Sequence, residues 1–151
     1  MKLENAIKSN KFKSETQKAT LNVLYTAWWL KTISNHQMKT YNLTPEQYNV
    51  LRILKGKHPE KMCVKDIASR MIEKSSNVPR IVDRLDIKQL IERTQGEIDG
   101  RQTVINLTEK GINTLAKATQ KLNDIMDKKI VMTDADAMIL NDLLEKMRIL
   151  E

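Results

Sequence analysis

The segment 63–107 constrains the fold of this 151-residue chain more than any other stretch. Its apolar spacing predicts a short helix over residues 63–71, followed after a brief turn by a second helix. Pro79 favours Ser76 as the N-cap of this second helix, because the third residue of a helix has no amide hydrogen bond to lose. Residues 91–107 then combine turn residues with a β-branched run, which predicts a two-stranded hairpin.

The predicted second helix has an apolar face and a basic face. Arg80 and Arg84 lie opposite its apolar residues, with Asn77 and Lys88 beside them. A short helix, a turn, a basic-faced helix and a hairpin follow one another in this order in a winged helix-turn-helix, whose second helix enters the major groove of DNA. Small polar and basic residues at the N-terminal end of such a helix approach phosphates and base edges without obstruction. The chain has both kinds there, at Ser75, Ser76, Asn77 and Arg80.

Longer helices flank this segment on both sides. Capping patterns predict where they begin, at Ser14, Thr44, Thr108 and Thr133, and Gln17 and Gln47 are expected to return the hydrogen bond to the caps at Ser14 and Thr44. The helix from Ser14 is predicted to reach about His36, and its wide apolar stripe indicates packing against two neighbours, one of which could be another subunit. The predicted order of four helices, a hairpin and two helices describes a mainly α protein with a small β-hairpin wing. Only four glycines and three prolines occur, which agrees with it.

Composition narrows the classes of function. A net charge of +7 and a pI of about 9.5 fit a polyanionic partner such as nucleic acid. No stretch is apolar for the length of a membrane span, and the N-terminus lacks the pattern of a signal peptide, so we expect a cytoplasmic protein with no membrane partner. The single Cys63 excludes an intramolecular disulfide, and two histidines are too few for a dense metal site. Because no motif for a nucleophile with its base or for a phosphate-binding loop is present, we expect no catalytic residues, no cofactor and no enzyme activity.

The distribution of charge along the chain supports DNA binding less than the net charge of the whole chain does. Residues 1–61 contain eleven Lys and Arg against four acids, whereas residues 62–111 contain nine against eight. The basic excess therefore lies mainly outside the predicted winged helix. Support for DNA binding comes from the positions of particular arginines and not from bulk charge.

Five short motifs occur in a specific order along the chain. They are IASRM in the first short helix, NVPRIVDRL in the second, LIER leading into the hairpin, DGR within it and INLTEKG closing it. This ordered run resembles the MarR family of bacterial transcriptional regulators, most strongly over residues 64–111. The resemblance implies a single domain over residues 1–151, in which segments 14–41 and 112–151 form dimerisation helices. Residues 44–111 would then form the winged helix DNA-binding region.

The resemblance also assigns roles to individual residues. It implies that a homodimer contacts a double-stranded DNA operator through the second short helix and its flanks. The predicted DNA-contacting residues are Lys74, Ser75, Ser76, Asn77, Arg80 and Arg84, with Arg101 as the arginine of the wing. Asp99 matches the acid that braces the wing, by pairing with a nearby arginine.

Three positions depart from the family pattern. Ile72 and Gln89 stand where relatives often have glycine, so these two turns must close without the residue best suited to a positive φ. Pro79 replaces a small polar residue, which removes one base contact that relatives could make. The operator sequence therefore cannot be transferred from relatives.

Cys63 has two interpretations. It occupies the predicted N-cap of the first short helix, and a helix N-terminus stabilises a thiolate, so Cys63 could sense oxidants. Alternatively, it is a small, half-buried residue tolerated at a cap.

Aromatic residues also have two interpretations. Trp28, Trp29 and Tyr48 could line a pocket for a small aromatic effector between the dimerisation helices and the winged helix, where the MarR family binds phenolic compounds. Core packing is the alternative.

Together these features predict a sequence-specific transcriptional regulator. We expect a repressor that binds a pseudo-palindromic operator as a homodimer and is released by a small molecule. One alternative is a helical protein-interaction or antirepressor module that has lost DNA binding, which the near-neutral charge of residues 62–111 favours. Another is a redox-responsive regulator that uses Cys63.

Overall fold

The computed structural model describes residues 1–96 and 103–148 and confirms the predicted fold class, a mainly helical winged helix with a small antiparallel sheet. Its elements in chain order are α1 (Leu3–Ile7), α2 (Glu15–Lys39), α3 (Pro45–Lys57), β1 (Met62–Cys63), α4 (Val64–Arg70), α5 (Val78–Ile87), β2 (Ile91–Gln95), β3 (Thr103–Leu107), α6 (Glu109–Lys129) and α7 (Asp134–Met147). None of the helices in the described part of the chain combines the length and the hydropathy that a bilayer crossing needs.

Side-chain caps set the starts of the long helices where the sequence predicted them. The Thr44 hydroxyl accepts from the Gln47 amide, and the Gln47 side chain accepts in return from the Thr44 amide, each at 3.2 Å. Thr133 and Asp136 form the same reciprocal pair at the start of α7, whereas at α6 the Thr108 hydroxyl accepts from the Gly111 amide with no side chain to return the bond. Each cap satisfies an amide that the first turn of a helix leaves unpaired, so the starts follow from local sequence.

The first long helix differs in detail from its prediction. Ser14 caps α2 by accepting from the Gln17 amide at 3.1 Å, as expected. The Gln17 side chain, however, accepts from the amide of Lys13 at 2.7 Å and not from that of Ser14. α2 also continues to Lys39, about one turn beyond the predicted end.

Two elements were not predicted. Helix α1 precedes α2 and is held to it by an ion pair between Glu4 and Lys18, with 2.6 Å between the charged atoms. Strand β1 pairs antiparallel with β3, so the strand order is β1-β3-β2 and the predicted two-stranded hairpin becomes part of a three-stranded sheet. In the hairpin itself, Ile91 lies opposite Leu107 and Gln95 opposite Thr103.

The hydrophobic core lies between α3, α4, α5 and the sheet. Met38 of α2 and Leu115 and Ala118 of α6 complete it, so both long helices contribute to the core of the winged helix. Helix α7 has no buried residue among those described. Its apolar side chains are exposed in the single chain, at Met138, Ile139, Leu140, Leu143 and Met147.

Candidate nucleic-acid interface

Helix α5 begins one residue later than predicted. Asn77, and not Ser76, is its N-cap, because the Asn77 side-chain oxygen accepts from the Arg80 amide at 3.2 Å. Pro79 consequently occupies the second helical position instead of the third. The prediction of Ser76 was wrong by one residue, since proline is tolerated at either position of a first turn whose amides lack helical partners.

The side chains of α5 divide into the two predicted faces. Val78, Val82 and Leu85 are buried in the core. Arg80 and Arg84 are exposed, and their spacing of four residues places them one above the other on the same side of the helix. The packed apolar face thus holds α5 in an orientation that leaves both arginines in solvent.

The turn before α5 gathers most of the predicted DNA-contacting residues. Ser75, Asn77, Arg80 and Arg84 are exposed around one hollow of about 310 Å³, which Ser76 also lines. The Ser76 hydroxyl itself is buried and has no hydrogen-bond partner among the described residues, so it is not presented to solvent. The Lys74 ammonium donates to the Ser69 carbonyl at 2.7 Å and is not among the residues that line this hollow.

The two turns that lack glycine close in different ways. Gln89 has a φ of 60°, so the turn after α5 uses the left-handed conformation without the glycine that favours it. Ile72 is not among the described non-glycine residues with a positive φ, which are Lys8, Asn42 and Gln89. The Ile72 amide instead donates to the Asn49 side chain at 3.1 Å, so a contact with α3 closes this turn.

The structure turns Lys88 away from the basic face on which the sequence placed it. The Lys88 ammonium donates to the Asn42 carbonyl and to the Gln47 side-chain oxygen, the latter at 2.8 Å. Burial, and to a lesser degree the positive charge of Arg84, hold the pKa of Lys88 below its usual value. The exposed basic surface of α5 therefore consists of Arg80 and Arg84.

A cavity of about 810 Å³ lies between α2, α3, α6 and the segment 71–73. Tyr48 lines it and pairs its hydroxyl with that of Thr119 at 3.0 Å. Trp28 is 59% exposed and packs its ring against Tyr25, with 5.4 Å between the ring centroids. Trp29 is half-buried, and neither tryptophan is among the described residues that line the cavity. Of the three predicted pocket residues, the structure places Tyr48 alone at the cavity wall.

Cys63 is half-buried and occupies the N-cap of α4, as predicted, but its side chain makes no capping hydrogen bond. Its backbone lies opposite Val104 in the sheet. Within residues 1–96 and 103–148, no group of three His, Cys, Asp or Glu side chains is placed to hold a metal ion.

Comparison with known proteins identifies the family. The family model described as "Transcriptional regulator SarA/Rot" matches residues 32–118, more than half of the chain. The chain belongs to the SarA/Rot family of transcriptional regulators. It is also 30% identical over 114 residues to the HTH-type transcriptional regulator MgrA of Staphylococcus aureus, and that match covers 76% of each protein.

Solved structures with the same fold confirm the predicted resemblance to the MarR family. A MarR transcription factor from Planctomyces limnophilus is 28% identical, with a TM-score of 0.68, covering 91% of this SarA/Rot chain and 100% of that one. BpsR of Bordetella bronchiseptica is 19% identical, with a TM-score of 0.75, covering 95% and 100% respectively. The BpsR structure concerns the regulation of its DNA binding by 6-hydroxynicotinic acid.

One bracing contact of this SarA/Rot chain was missed from the sequence. Arg93 of β2 pairs with the Asp83 carboxylate and, at 3.1 Å, with Asp86, so it ties the wing to α5. The spacing of Asp83 and Asp86 by three residues places both on one side of α5, and an arginine follows in the LIER motif, which was the available signal. The predicted brace Asp99 and the predicted wing arginine Arg101 lie outside the described residues.

Proposed function

We propose that this SarA/Rot regulator binds operator DNA sequence-specifically by inserting the N-terminal end of α5 into the major groove. The observation that carries the proposal is that α5 buries its apolar face while Ser75, Asn77 and Arg80 are exposed at its N-terminal end, with Arg84 exposed one turn further along the same side. Arginines can pair with guanine edges or with phosphates, and asparagine with adenine edges, so this end has the chemistry that readout of bases requires.

Two further observations support this proposal. The ion pairs of Arg93 join the wing to α5, which favours docking of the two as one unit. The relative BpsR is a protein whose DNA binding is regulated. We extend the assignment to Arg101, as a wing residue that grips the neighbouring minor groove. Because a regulator of this kind binds the chromosome, we also propose that the protein is located in the cytoplasm.

We propose that the functional species is a homodimer. Helix α7 exposes several large apolar side chains, including Leu143 at 58%, and α2 exposes Leu24 at 62%. Large apolar side chains exposed on both helices are typical of a surface that another chain covers. Segments 14–41 and 112–151 would supply this interface, which leaves residues 44–111 to bind DNA.

The cavity between α2, α3 and α6 fits a small aromatic effector. Its volume of about 810 Å³ lies within the range of sites for small molecules, and its wall combines Tyr48 with aliphatic side chains such as Leu30 and Ile53. We propose that a ligand there changes the separation of the two winged helices in the dimer and so releases DNA. Repression would follow from occupation of a promoter by the free dimer.

Selection of bound sequences from random duplex DNA tests the proposal most broadly. We expect a pseudo-palindrome whose half-sites are separated by about one helical turn, roughly 10 bp, because a dimer presents two α5 helices on one side of the duplex. Affinity for the selected duplex should fall steeply as salt is raised. Failure to enrich any sequence, with no salt-dependent shift of duplex DNA, would favour a protein-interaction module with this fold and would contradict the proposal.

A further inference from the structure

The C-terminal end of α5 is attached to the turn between α2 and α3 through one side chain. Lys88 is the C-cap of α5, and its ammonium donates to the Asn42 carbonyl and to the Gln47 side-chain oxygen. Gln47 is buried, at 3% exposure, and the same oxygen also accepts from the Thr44 amide. Asn42 has a φ of 55°, a left-handed conformation that asparagine adopts more readily than most residues. The acceptors of Lys88 thus lie in the α2–α3 turn, at Asn42, and in the capped first turn of α3, at Gln47.

The environment of Lys88 differs from that of an exposed lysine that is free to bind a phosphate. Burial lowers its pKa, and the neighbouring Arg84 carries the same charge. Both effects disfavour an ammonium at this position, whereas the two hydrogen bonds compensate for its lost hydration. Because the Lys88 ammonium already donates to oxygens of the protein, we do not expect it to donate to a phosphate of DNA.

The backbone of the same helix end is held from the other side. The Lys110 ammonium donates to the Lys88 carbonyl at 2.8 Å, and the Thr108 hydroxyl donates to the Gln89 carbonyl at 2.8 Å. These contacts satisfy carbonyl groups that the last turn of a helix leaves unpaired. The end of α5 is therefore fixed between the α2–α3 turn and the start of α6.

The opposite end of α5 and the turn before it carry Ser75, Asn77 and Arg80, which are proposed to contact DNA, whereas Arg84 lies in the last turn. A helix of this length spans about 15 Å, so a tilt of about 4° at its C-terminal end displaces its N-terminal end by about 1 Å. Base readout depends on hydrogen-bond geometry and tolerates displacements of that size poorly, whereas attraction to phosphates does not depend on geometry as strongly.

We propose that Lys88 is a positioning residue for DNA recognition. By tying the end of α5 to the α2–α3 turn, Lys88 fixes the angle at which Arg80 and Arg84 are presented, and it makes no phosphate contact itself. This inference rests on the proposed function. It separates two roles among the basic residues of one helix, contact for Arg80 and Arg84 and orientation for Lys88.

The variant Lys88→Met tests this role, with Lys39→Met as its matched control. Lys39 is exposed and lines the same hollow of about 360 Å³ as Lys88, so its removal takes an equal charge from the same region. Dissociation constants are measured on a duplex selected by the wild-type protein and on an unrelated duplex, over a series of salt concentrations. Circular dichroism first establishes that each variant is folded at the assay temperature.

We expect Lys88→Met to bind the selected duplex about tenfold more weakly or worse, the lower limit for a lost hydrogen bond to a charged group. Its affinity for the unrelated duplex and the salt dependence of binding should be unchanged, because no phosphate contact is lost. Lys39→Met should leave the ratio of the two affinities as in the wild type.

Two results would overturn the inference. Equal weakening on both duplexes, with the salt dependence reduced by about one ion, would identify Lys88 as a phosphate contact. Affinities for both duplexes equal to those of the wild type would restrict Lys88 to a role in stability. If the wild type itself prefers no sequence, the proposed function fails and this inference fails with it, whereas the first two results leave the proposed function intact.

A second pair of variants keeps the test decisive if Lys88→Met does not fold. Gln47→Glu retains an acceptor oxygen for the hydrogen bonds from Lys88 and from the Thr44 amide, and it should preserve the preference for the selected duplex. Gln47→Leu removes the acceptor and should weaken that preference. Where the double variant Lys88→Met/Gln47→Leu folds, its loss should be smaller than the sum of the two single losses, because both substitutions remove one shared contact. Additive losses would contradict the shared contact.

Discussion

Replacement of Gly111 by alanine should destabilise the winged helix through a single steric conflict. Gly111 is buried in the first turn of α6, where its amide donates to the Thr108 hydroxyl at 3.0 Å. A Cβ atom at this position would lie 1.9 Å from the Leu90 carbonyl oxygen and 2.9 Å from the carbonyl carbon. The obstacle is backbone between α5 and β2, which cannot rotate away as a flexible side chain would.

The magnitude follows from the distance. The Leu90 carbonyl must retreat by about 1.5 Å to reach the 3.4 Å at which ordinary contact begins. Such overpacking costs typically about 1–3 kcal/mol, and the rigidity of a backbone obstacle places the cost at the upper end. Alanine returns about 0.5–1 kcal/mol through its better helix preference. We expect a net loss of about 2 kcal/mol in the free energy of unfolding.

Gly56 provides the matched control, because it lies in α3 with no heavy atom within 4 Å of an added Cβ. Gly56→Ala should therefore stabilise the protein by about 0.5–1 kcal/mol. Urea denaturation followed by circular dichroism, at one protein concentration for all variants, measures both. In a chain of this size 1 kcal/mol corresponds to about 2–4 °C in Tm. A Gly111→Ala variant as stable as Gly56→Ala would refute the reasoning.

Three further substitutions test other contacts. Tyr48→Phe should lower the free energy of unfolding by about 0.5–1.5 kcal/mol, because it removes the hydroxyl pair with Thr119, and urea denaturation measures the loss. Leu143→Glu should convert the proposed dimer to monomer in light scattering, since it places a charge in the exposed apolar face of α7, and an unchanged mass would argue against that interface. Arg93→Ala should leave the protein folded but weaken operator binding by about 1 kcal/mol, because the exposed pairs that join the wing to α5 are lost. Fluorescence anisotropy with a labelled duplex decides, and full affinity would exclude a bracing role.

Local sequence predicted the helix starts that depend on residues three apart. Thr44 and Thr108 cap their helices because the geometry of a first turn brings each hydroxyl to an amide three residues on. The core face of α5 was predictable for a similar reason, since its apolar residues follow the helical repeat. These features require no knowledge of the rest of the chain.

Elements that depend on distant contacts were not predicted. Helix α1 has five residues and is held by the pairing of Glu4 with Lys18. Strand β1 has two residues, too few to show an alternating pattern, and exists because it pairs with β3. An isolated helix of five residues, the length of α1, is unstable in water. Local propensity therefore carries no signal for α1 or for β1.

The candidate site was predicted by residue type more accurately than by orientation. Both Ser76 and Asn77 suit an N-cap, and only the backbone of the folded chain distinguishes them. The periodicity of α5 placed Lys88 near its basic face, yet the ammonium turns inward because Asn42 and Gln47 lie within reach in the tertiary structure. Trp28 is exposed although it belongs to an apolar stripe, because tertiary packing determines which side of α2 the core covers.

The measurement that tests the central claim most directly is the base preference of the variant Arg80→Ala. Affinities are determined for the selected duplex and for each of its single base-pair variants, with Lys121→Ala on the exposed surface of α6 as the control. If α5 reads the major groove, Arg80→Ala should lose about 1–3 kcal/mol on the selected duplex and lose its preference at one position in each half-site. Lys121→Ala should retain both. Unchanged affinity of Arg80→Ala, or a preference preserved at every position, would contradict the assignment of α5 as the recognition helix.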